Sequence, residues 1–172
     1  MALMTMRNSK PAGLVTYRCE VLPEWVDYNS HLRDGFYLVI FSYGVDGFMD
    51  LIGLDAAGRK ALGHSLFTLE AHLNFLHEVK LGARLEVRTQ VLGCDAKRVH
   101  VGLGLYEEGQ DKLLSFCEQM QLNVDMAGPT ATTFAPSVAA LLQPLALAHA
   151  GLEKPKFAGR VIALPQAKAA AA

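Results

Sequence analysis

The sequence predicts an α+β domain in which one antiparallel sheet of about five strands wraps around one long central helix. Three observations support this fold class: the length of a single domain, one long apolar segment without proline, and four consecutive runs of alternating polar and apolar residues. The chain has 172 residues, of which 51% are hydrophobic and 19% are charged. This composition allows a substantial core and is not that of a disordered chain.

The first half of the chain predicts one strand, one loop and the long helix. Residues 14–22 combine β-branched and aromatic side chains, as strands do, and Pro23 ends that run before a polar loop at 24–33. Residues 34–54 are almost entirely apolar and lack proline, which predicts a helix with Asp34 in its first turn. The few polar side chains of this helix form one narrow stripe: Ser42, Asp46 and Asp50. The helix is therefore expected to be buried on most sides.

The second half predicts four strands from the runs at residues 66–77, 85–91, 99–106 and 114–124. Polar and apolar residues alternate in each run, so one face of each strand is expected to point to the helix. In the first run that face comprises Phe67, Leu69, Ala71, Leu73 and Phe75. In the last run it comprises Leu114, Phe116, Met120, Leu122 and Val124, which leaves Cys117, Gln119 and Gln121 on the outer face with Gly102. A last helix, bent at Pro144, is predicted for residues 137–150.

No internal repeat or linker divides the chain. We expect one domain at residues 14–136, a C-terminal helix and extension at 137–165, and flexible ends at 1–13 and 166–172. The N-terminus lacks the apolar segment of a signal peptide, and the most apolar late stretch is interrupted and too short to cross a membrane.

Charge and cysteine content exclude several classes of partner. The 16 basic and 17 acidic side chains give a net charge of -1, so no global field exists to hold nucleic acid or an anionic membrane. The three cysteines lack the Cys-x-x-Cys spacing of zinc sites, which predicts free thiols in a reducing cytoplasm.

The richest polar segment, residues 25–32, directly precedes the long helix. The first N–H groups of a helix have no partners within it and favour negative charge. Asp27 lies seven residues before Asp34 and can fold back to this point. A carboxylate beside such donors is the minimum equipment for acyl transfer. The alternative is that Asp27, Asn29 and Ser30 only form turns and a helix cap.

Residues 26–32, Val-Asp-Tyr-Asn-Ser-His-Leu, followed by Asp-Gly-Phe-Tyr at 34–37, resemble the signature of the 4-hydroxybenzoyl-CoA-thioesterase-like branch of the hot-dog family. Further motifs of that branch follow in the same order at residues 69–76, 82–85, 95–100 and 124–136. The resemblance spans residues 14–136. Two departures occur: Ser30 stands where the signature usually has glycine, and residues 127–133 lack an arginine often found there.

The resemblance implies an acyl-CoA thioesterase with the hot-dog fold. In such an enzyme Asp27 attacks the thioester carbonyl or activates water against it, and the backbone N–H groups of Asp34 and Gly35 receive the oxyanion. Asn29 and His31 shape the loop or orient Asp27 or the water. No cofactor is implied, and no metal site is expected because Asp27, Asn29 and His31 lack a second set of ligands.

The resemblance also implies residues for substrate binding. The aromatic side chains Trp25, Tyr28, Phe36 and Tyr37 either pack or form a pocket for an aromatic or quaternary ammonium acyl group. Glu70 and His72 either reach the site of a partner subunit or remain a surface pair. The CoA phosphates are assigned to Lys97, Arg98 and Arg84. The tail at residues 156–162 resembles an extension of one bacterial subset, the betainyl-CoA thioesterases, which points to betainyl-CoA as a substrate.

The open edges of a single-helix roll predict a homodimer or homotetramer. The sequence leaves two other functions open. One is a hot-dog hydratase or dehydratase, although the Asp-x-Asn-Pro-x-His motif of those enzymes is one residue longer and includes a proline that is absent here. The other is a module that binds acyl-CoA without turnover.

Overall fold

The computed structural model describes residues 13–164, which form one antiparallel sheet and three α-helices. The strands are β1 (Leu14–Glu20), β2 (His64–Phe75), β3 (Arg84–Cys94), β4 (Arg98–Glu107), β5 (Leu113–Asp125) and the short β6 (Thr130–Ala131). The helices are α1 (Asp34–Leu51), α2 (Ala56–Leu62) and α3 (Pro136–Ala150), and a single 3-10 turn spans Pro23–Trp25. The ends predicted to be flexible lie outside the described residues, apart from Gly13.

The five long strands lie in the order β1-β3-β4-β5-β2, all antiparallel, and β6 pairs with β5. The sheet curls around α1, so the predicted architecture is confirmed. The two edge strands are β1 and β2. The edge at β2 is long, since this strand has 12 residues.

Helix α1 is buried against the sheet as its composition predicts, with Ile40 and Phe41 fully buried. It approaches β1 so closely that a Cβ added at Gly47 would lie 1.8 Å from the carbonyl oxygen of Thr16. Only glycine permits this approach. The helix ends three residues before the predicted boundary, because Gly53 adopts a left-handed φ of 80° and turns the chain.

Helix α2 was not predicted from the sequence. Its N-terminus is capped by Asp55, whose carboxylate accepts a hydrogen bond from the N–H of Gly58 at 2.7 Å. Gly63 ends the helix with a φ of 68°. An aspartate before the helix and a glycine after it are the signals that could have identified it.

The predicted orientation of β5 is wrong. Leu103 of β4 faces α1, since its side chain lies beside Gly44, and its register partner on β5 is Cys117. Register partners share one face of a sheet. The residues of β5 that face α1 are therefore Ser115, Cys117, Gln119, Gln121 and Asn123, all of them buried. Phe116 and Met120 lie on the outer face instead.

The predicted alternation along β2 holds only in part. The register with β5 shifts between Thr68 and Glu70, which marks a bulge at Leu69. Beyond the bulge, Leu73 and Phe75 lie on the helix side as predicted. Before it the faces are exchanged, so Phe67 lies on the outer side and Thr68 on the helix side.

The segment after α3 covers part of the outer face of the sheet. Gln90 donates a hydrogen bond to the carbonyl oxygen of Glu153 at 3.3 Å, and the ring of Phe157 lies 6.4 Å from that of Phe116. The N–H of Gly159 donates to the carboxylate of Glu118 at 2.6 Å. This cover explains how the outward-facing Phe116 is buried.

Within residues 13–164, no single helix has the length and apolar character needed to cross a membrane. Only α1 and α2 taken together reach that length, and they are bent by 66° to one another.

Candidate active site

The polar loop before α1 folds back on itself. Val26 and Leu32 form an antiparallel bridge, and the N–H of Arg33 donates to the carbonyl oxygen of Trp25 at 3.0 Å. Arg33 is the N-cap of α1. The bridge therefore holds Asp27 in a short hairpin that leads directly into the helix.

The Asp27 carboxylate is held by backbone donors. Its Oδ1 accepts hydrogen bonds from the N–H groups of Asn29 at 2.8 Å and His31 at 3.0 Å. These donors, that of His31 foremost, lower the pKa of Asp27 below its ordinary value. Among the described residues, no donor is within hydrogen-bond distance of Oδ2, so this oxygen is available to a substrate or a water.

Ser30 closes the turn with a left-handed φ of 61°. This conformation explains why the family signature usually has glycine at this position. A serine there carries backbone strain of about 1–2 kcal/mol. The loop keeps its fold despite this strain, because the N–H of Ser30 donates to the carbonyl oxygen of Asp27 and its own carbonyl accepts from Leu81.

The N-terminus of α1 offers one free donor. The Asp34 carboxylate accepts the N–H of Gly35 at 2.8 Å, so the second of the two predicted oxyanion donors is occupied. Within the described part of the chain, no acceptor receives the N–H of Asp34. The positive end of the helix dipole therefore presents mainly this group to an incoming oxygen.

A cavity of about 310 Å³ opens at the first turn of α1. Its lining comprises Leu32, Asp34, Tyr37, Phe75, Leu76, His77 and Glu78. The rings of Tyr37 and Phe75 are nearly perpendicular, with centroids 5.1 Å apart. Asp27 does not line the cavity, but His31 connects the two, since its backbone N–H donates to Asp27 and its Nε2 lies 3.3 Å from Oε2 of Glu78.

Of the four aromatic residues predicted near the site, only Tyr37 lines this cavity. Trp25 and Phe36 stack on each other with centroids 5.8 Å apart, at the edge of the core. Tyr28 is 94% exposed at the tip of the loop. Sequence reasoning assigned no role in the site to Phe75 or Glu78, and no motif marks Glu78.

Glu70 and His72 lie on the outer face of β2, away from α1. His72 is the register partner of Glu118, which forms an ion pair of 2.7 Å with His100. The two predicted residues therefore do not approach Asp27 within one chain. They stay candidates only for the site of a partner subunit.

The three predicted CoA-binding cations do not form one cluster. Arg84 lies at the first residue of β3 and is paired with Glu108 at 3.0 Å. Lys97 and Arg98 follow the other end of that strand, roughly 33 Å away at an ordinary strand rise. Arg98 is paired with Asp95 at 2.8 Å, whereas no ion pair of Lys97 is found among residues 13–164.

The described residues contain no group of three or more histidine, cysteine, aspartate or glutamate side chains that could hold a metal ion. The three cysteines are free thiols, of which Cys117 is buried and Cys94 exposed. Burial raises the pKa of Cys117 to about 11. This thiol is therefore protonated at neutral pH and is not a nucleophile.

Comparison with known proteins identifies related chains along almost the whole length. A family model described as Thioesterase-like superfamily matches residues 21–142. A betainyl-CoA thioesterase of Pseudomonas aeruginosa is 57% identical over 152 residues, covering 88% of this chain and 96% of the relative. An L-carnitine dehydrogenase/betainyl-CoA thioesterase of Rhizobium meliloti is 38% identical over 136 residues, but this match spans only 27% of that longer protein.

Two solved structures are also similar. A candidate thioesterase of Pseudomonas putida KT2440 is 47% identical, with a TM-score of 0.78 over 90% of this chain and 98% of the other. A hypothetical protein of Staphylococcus aureus, solved in complex with CoA, is 30% identical, with a TM-score of 0.81 over 92% of this chain and 99% of the other.

Proposed function

The chain belongs to the Thioesterase-like superfamily and is an acyl-CoA thioesterase, and from that premise we propose that it hydrolyses betainyl-CoA to betaine and free CoA. One observation carries the choice of substrate: 57% identity to a betainyl-CoA thioesterase across nearly the full length of both chains. The geometry around Asp27 supports the same reaction class, because its carboxylate is held in a hairpin that leads directly into α1, and within residues 13–164 the first N–H of that helix has no acceptor.

Catalysis is assigned to Asp27 and the N-terminus of α1. Oδ2 of Asp27 attacks the thioester carbonyl or takes a proton from a water that does so. The carbonyl oxygen, which gains negative charge, receives the N–H of Asp34. Asn29 and His31 act as positioning residues, since their N–H groups fix the other carboxylate oxygen.

The pH dependence follows from the lowered pKa of Asp27. Because the pKa is lowered, the carboxylate stays ionised at every pH above that value, and activity is lost only as the pH falls through it. We expect Asp27 to cause no fall in kcat/KM above about pH 4, the ordinary range of an aspartate. The measurement is a profile of kcat/KM against pH for the wild type and His31→Gln. An acid limb near pH 6 that persists in His31→Gln would contradict the assignment.

The active unit is proposed to be at least a homodimer joined along β2. This strand is an edge of the sheet, and its side chains Phe67 and Leu69 are 40% and 56% exposed. A long apolar edge in a single chain favours pairing with a second copy. A dimer of such dimers is the proposed larger form.

A two-fold pairing of β2 also explains the separation of the cations from Asp27. The loop of Asp27 packs at the C-terminal end of β2, since the N–H of Leu32 donates to Val79. The β3–β4 turn lies near the N-terminal end of β2. There the carbonyl oxygen of Lys97 accepts the N–H of Asn123, and Asn123 is the register partner of Leu66 in β2. Antiparallel pairing of two β2 strands reverses one protomer against the other. Lys97 and Arg98 of one subunit then serve the site of its partner, and they are the proposed CoA-binding residues.

The β2 edge can be tested with Leu69→Glu. A charge buried at a subunit contact is costly, so this variant is expected to be monomeric and to lose at least about tenfold in activity. Light scattering after gel filtration and a thiol-release assay give the two readouts. Leu147→Glu on α3, where Leu147 is 77% exposed, is the matched control. A Leu69→Glu protein that remains dimeric would reject this edge.

The proposed compartment is the cytoplasm. All three cysteines are free, and Cys94 is exposed. An exposed free thiol is typical of a reducing environment.

The substrate is tested by giving the purified protein a panel of acyl-CoA thioesters and following the release of free thiol. We expect betainyl-CoA to have the highest kcat/KM in the panel. Hydration of an enoyl-CoA without thiol release, or binding of acyl-CoA without turnover, would contradict the proposed function.

A further inference from the structure

The cavity at the first turn of α1 combines acidic and aromatic side chains. Two carboxylates, Asp34 and Glu78, face it together with the rings of Tyr37 and Phe75. None of the described residues that line it is a lysine or an arginine. Aromatic rings with carboxylates and no fixed cation make up the chemistry that receives a methylated ammonium group, because rings contact the methyl groups and carboxylates offset the charge.

The length of the acyl group locates its cation. In betainyl-CoA the ammonium nitrogen is only two bonds from the carbonyl carbon. If the carbonyl oxygen meets the N–H of Asp34, the trimethylammonium group lies close to the first turn of α1. The cavity is at that place, since Asp34 belongs to both its lining and the helix N-terminus.

The N-terminus of α1 repels the ammonium group, and the carboxylate of Glu78 can offset this repulsion. The positive end of α1 favours the oxyanion and repels an ammonium group beside it. The Asp34 carboxylate is already engaged by the N–H of Gly35. Among residues 13–164 only one oxygen of Glu78 has a partner, Nε2 of His31 at 3.3 Å, and the side chain is 75% exposed. It is therefore the carboxylate best placed to balance the cation.

We propose that Glu78, with the rings of Tyr37 and Phe75, is the specificity site for a quaternary ammonium acyl group. This inference rests on the proposed function. It assigns the choice of a cationic over a neutral acyl group to a residue outside the catalytic loop. The selected substrate class is a CoA thioester whose acyl chain carries a permanently charged, fully methylated nitrogen close to the carbonyl.

The test compares betainyl-CoA with its neutral isostere, 3,3-dimethylbutanoyl-CoA, in which carbon replaces nitrogen. The ratio of the two kcat/KM values is measured for the wild type, Glu78→Gln and Phe75→Leu. Glu78→Gln is expected to lower the ratio about tenfold, and Phe75→Leu about threefold, mainly through KM for the charged substrate. Asp50→Asn, an exposed carboxylate at the far end of α1, removes the same charge and is expected to keep the wild-type ratio.

The outcomes separate this inference from the proposed function. If the wild type hydrolyses betainyl-CoA and Glu78→Gln loses equally on both substrates, Glu78 only supports the fold or His31, and the inference is overturned. No loss on either substrate in Glu78→Gln overturns it as well. If the wild type releases no thiol from betainyl-CoA, the proposed substrate itself fails, and the inference fails with it.

Discussion

Asp34→Pro is expected to lower the rate of thiol release about 10²–10³-fold relative to Asp34→Ala, the loss typical of one oxyanion donor. Both variants lack the carboxylate, but only proline lacks the backbone N–H. Asp34 is the first residue of α1, where helices accept proline readily. Arg33 before it is already extended, with φ -69° and ψ 148°, as a residue preceding proline must be.

The fold should therefore survive Asp34→Pro, and circular dichroism and thermal unfolding check this. The loss should appear in kcat, since the N–H is needed most when the oxygen carries negative charge. Equal rates for the proline and alanine variants, both folded, would remove the N-terminus of α1 from the mechanism.

Asp27→Asn is expected to have the largest effect of any single substitution here. Asparagine keeps Oδ1, so the hydrogen bonds from the N–H groups of Asn29 and His31 can persist and hold the loop. It removes the charge and the basicity of Oδ2. A general base contributes about 10²–10⁴-fold, so a loss of that size is expected in kcat. Asp46→Asn on the exposed stripe of α1 is the control and should retain wild-type activity.

The sequence pattern was sufficient to predict the architecture, because polar and apolar residues alternate along the strands and α1 is too apolar to be exposed to water. It fails on the faces of β5, where the polar side chains are buried and not exposed. Gln121 donates to Gln119 at 2.7 Å and accepts from Thr68 at 3.1 Å, so these buried amides satisfy each other. The apolar side of β5 is covered by the distant segment that contains Phe157. The residue pattern of β5 alone does not indicate that a distant segment packs on its apolar side.

For the candidate site, too, some residues could be predicted from the sequence and others could not. Asp27 and Asp34 could be predicted because one short segment carries both, and a bridge between Val26 and Leu32 closes it. Glu78 could not, because it follows β2 and meets the site only through the fold. The opposite positions of Arg84 and Lys97 could have been predicted, since the strand run at residues 85–91 separates the two residues.

The central claim is that the Asp27 carboxylate acts on the thioester rather than merely shaping the pocket. The most direct measurement compares binding with turnover in wild type and Asp27→Asn: equilibrium binding of a thioether analogue of betainyl-CoA, and single-turnover release of thiol from betainyl-CoA. We predict analogue affinities within about threefold of each other and a single-turnover rate lowered by about 10²–10⁴-fold. A folded Asp27→Asn protein that cleaves betainyl-CoA at a rate close to that of the wild type would contradict the claim.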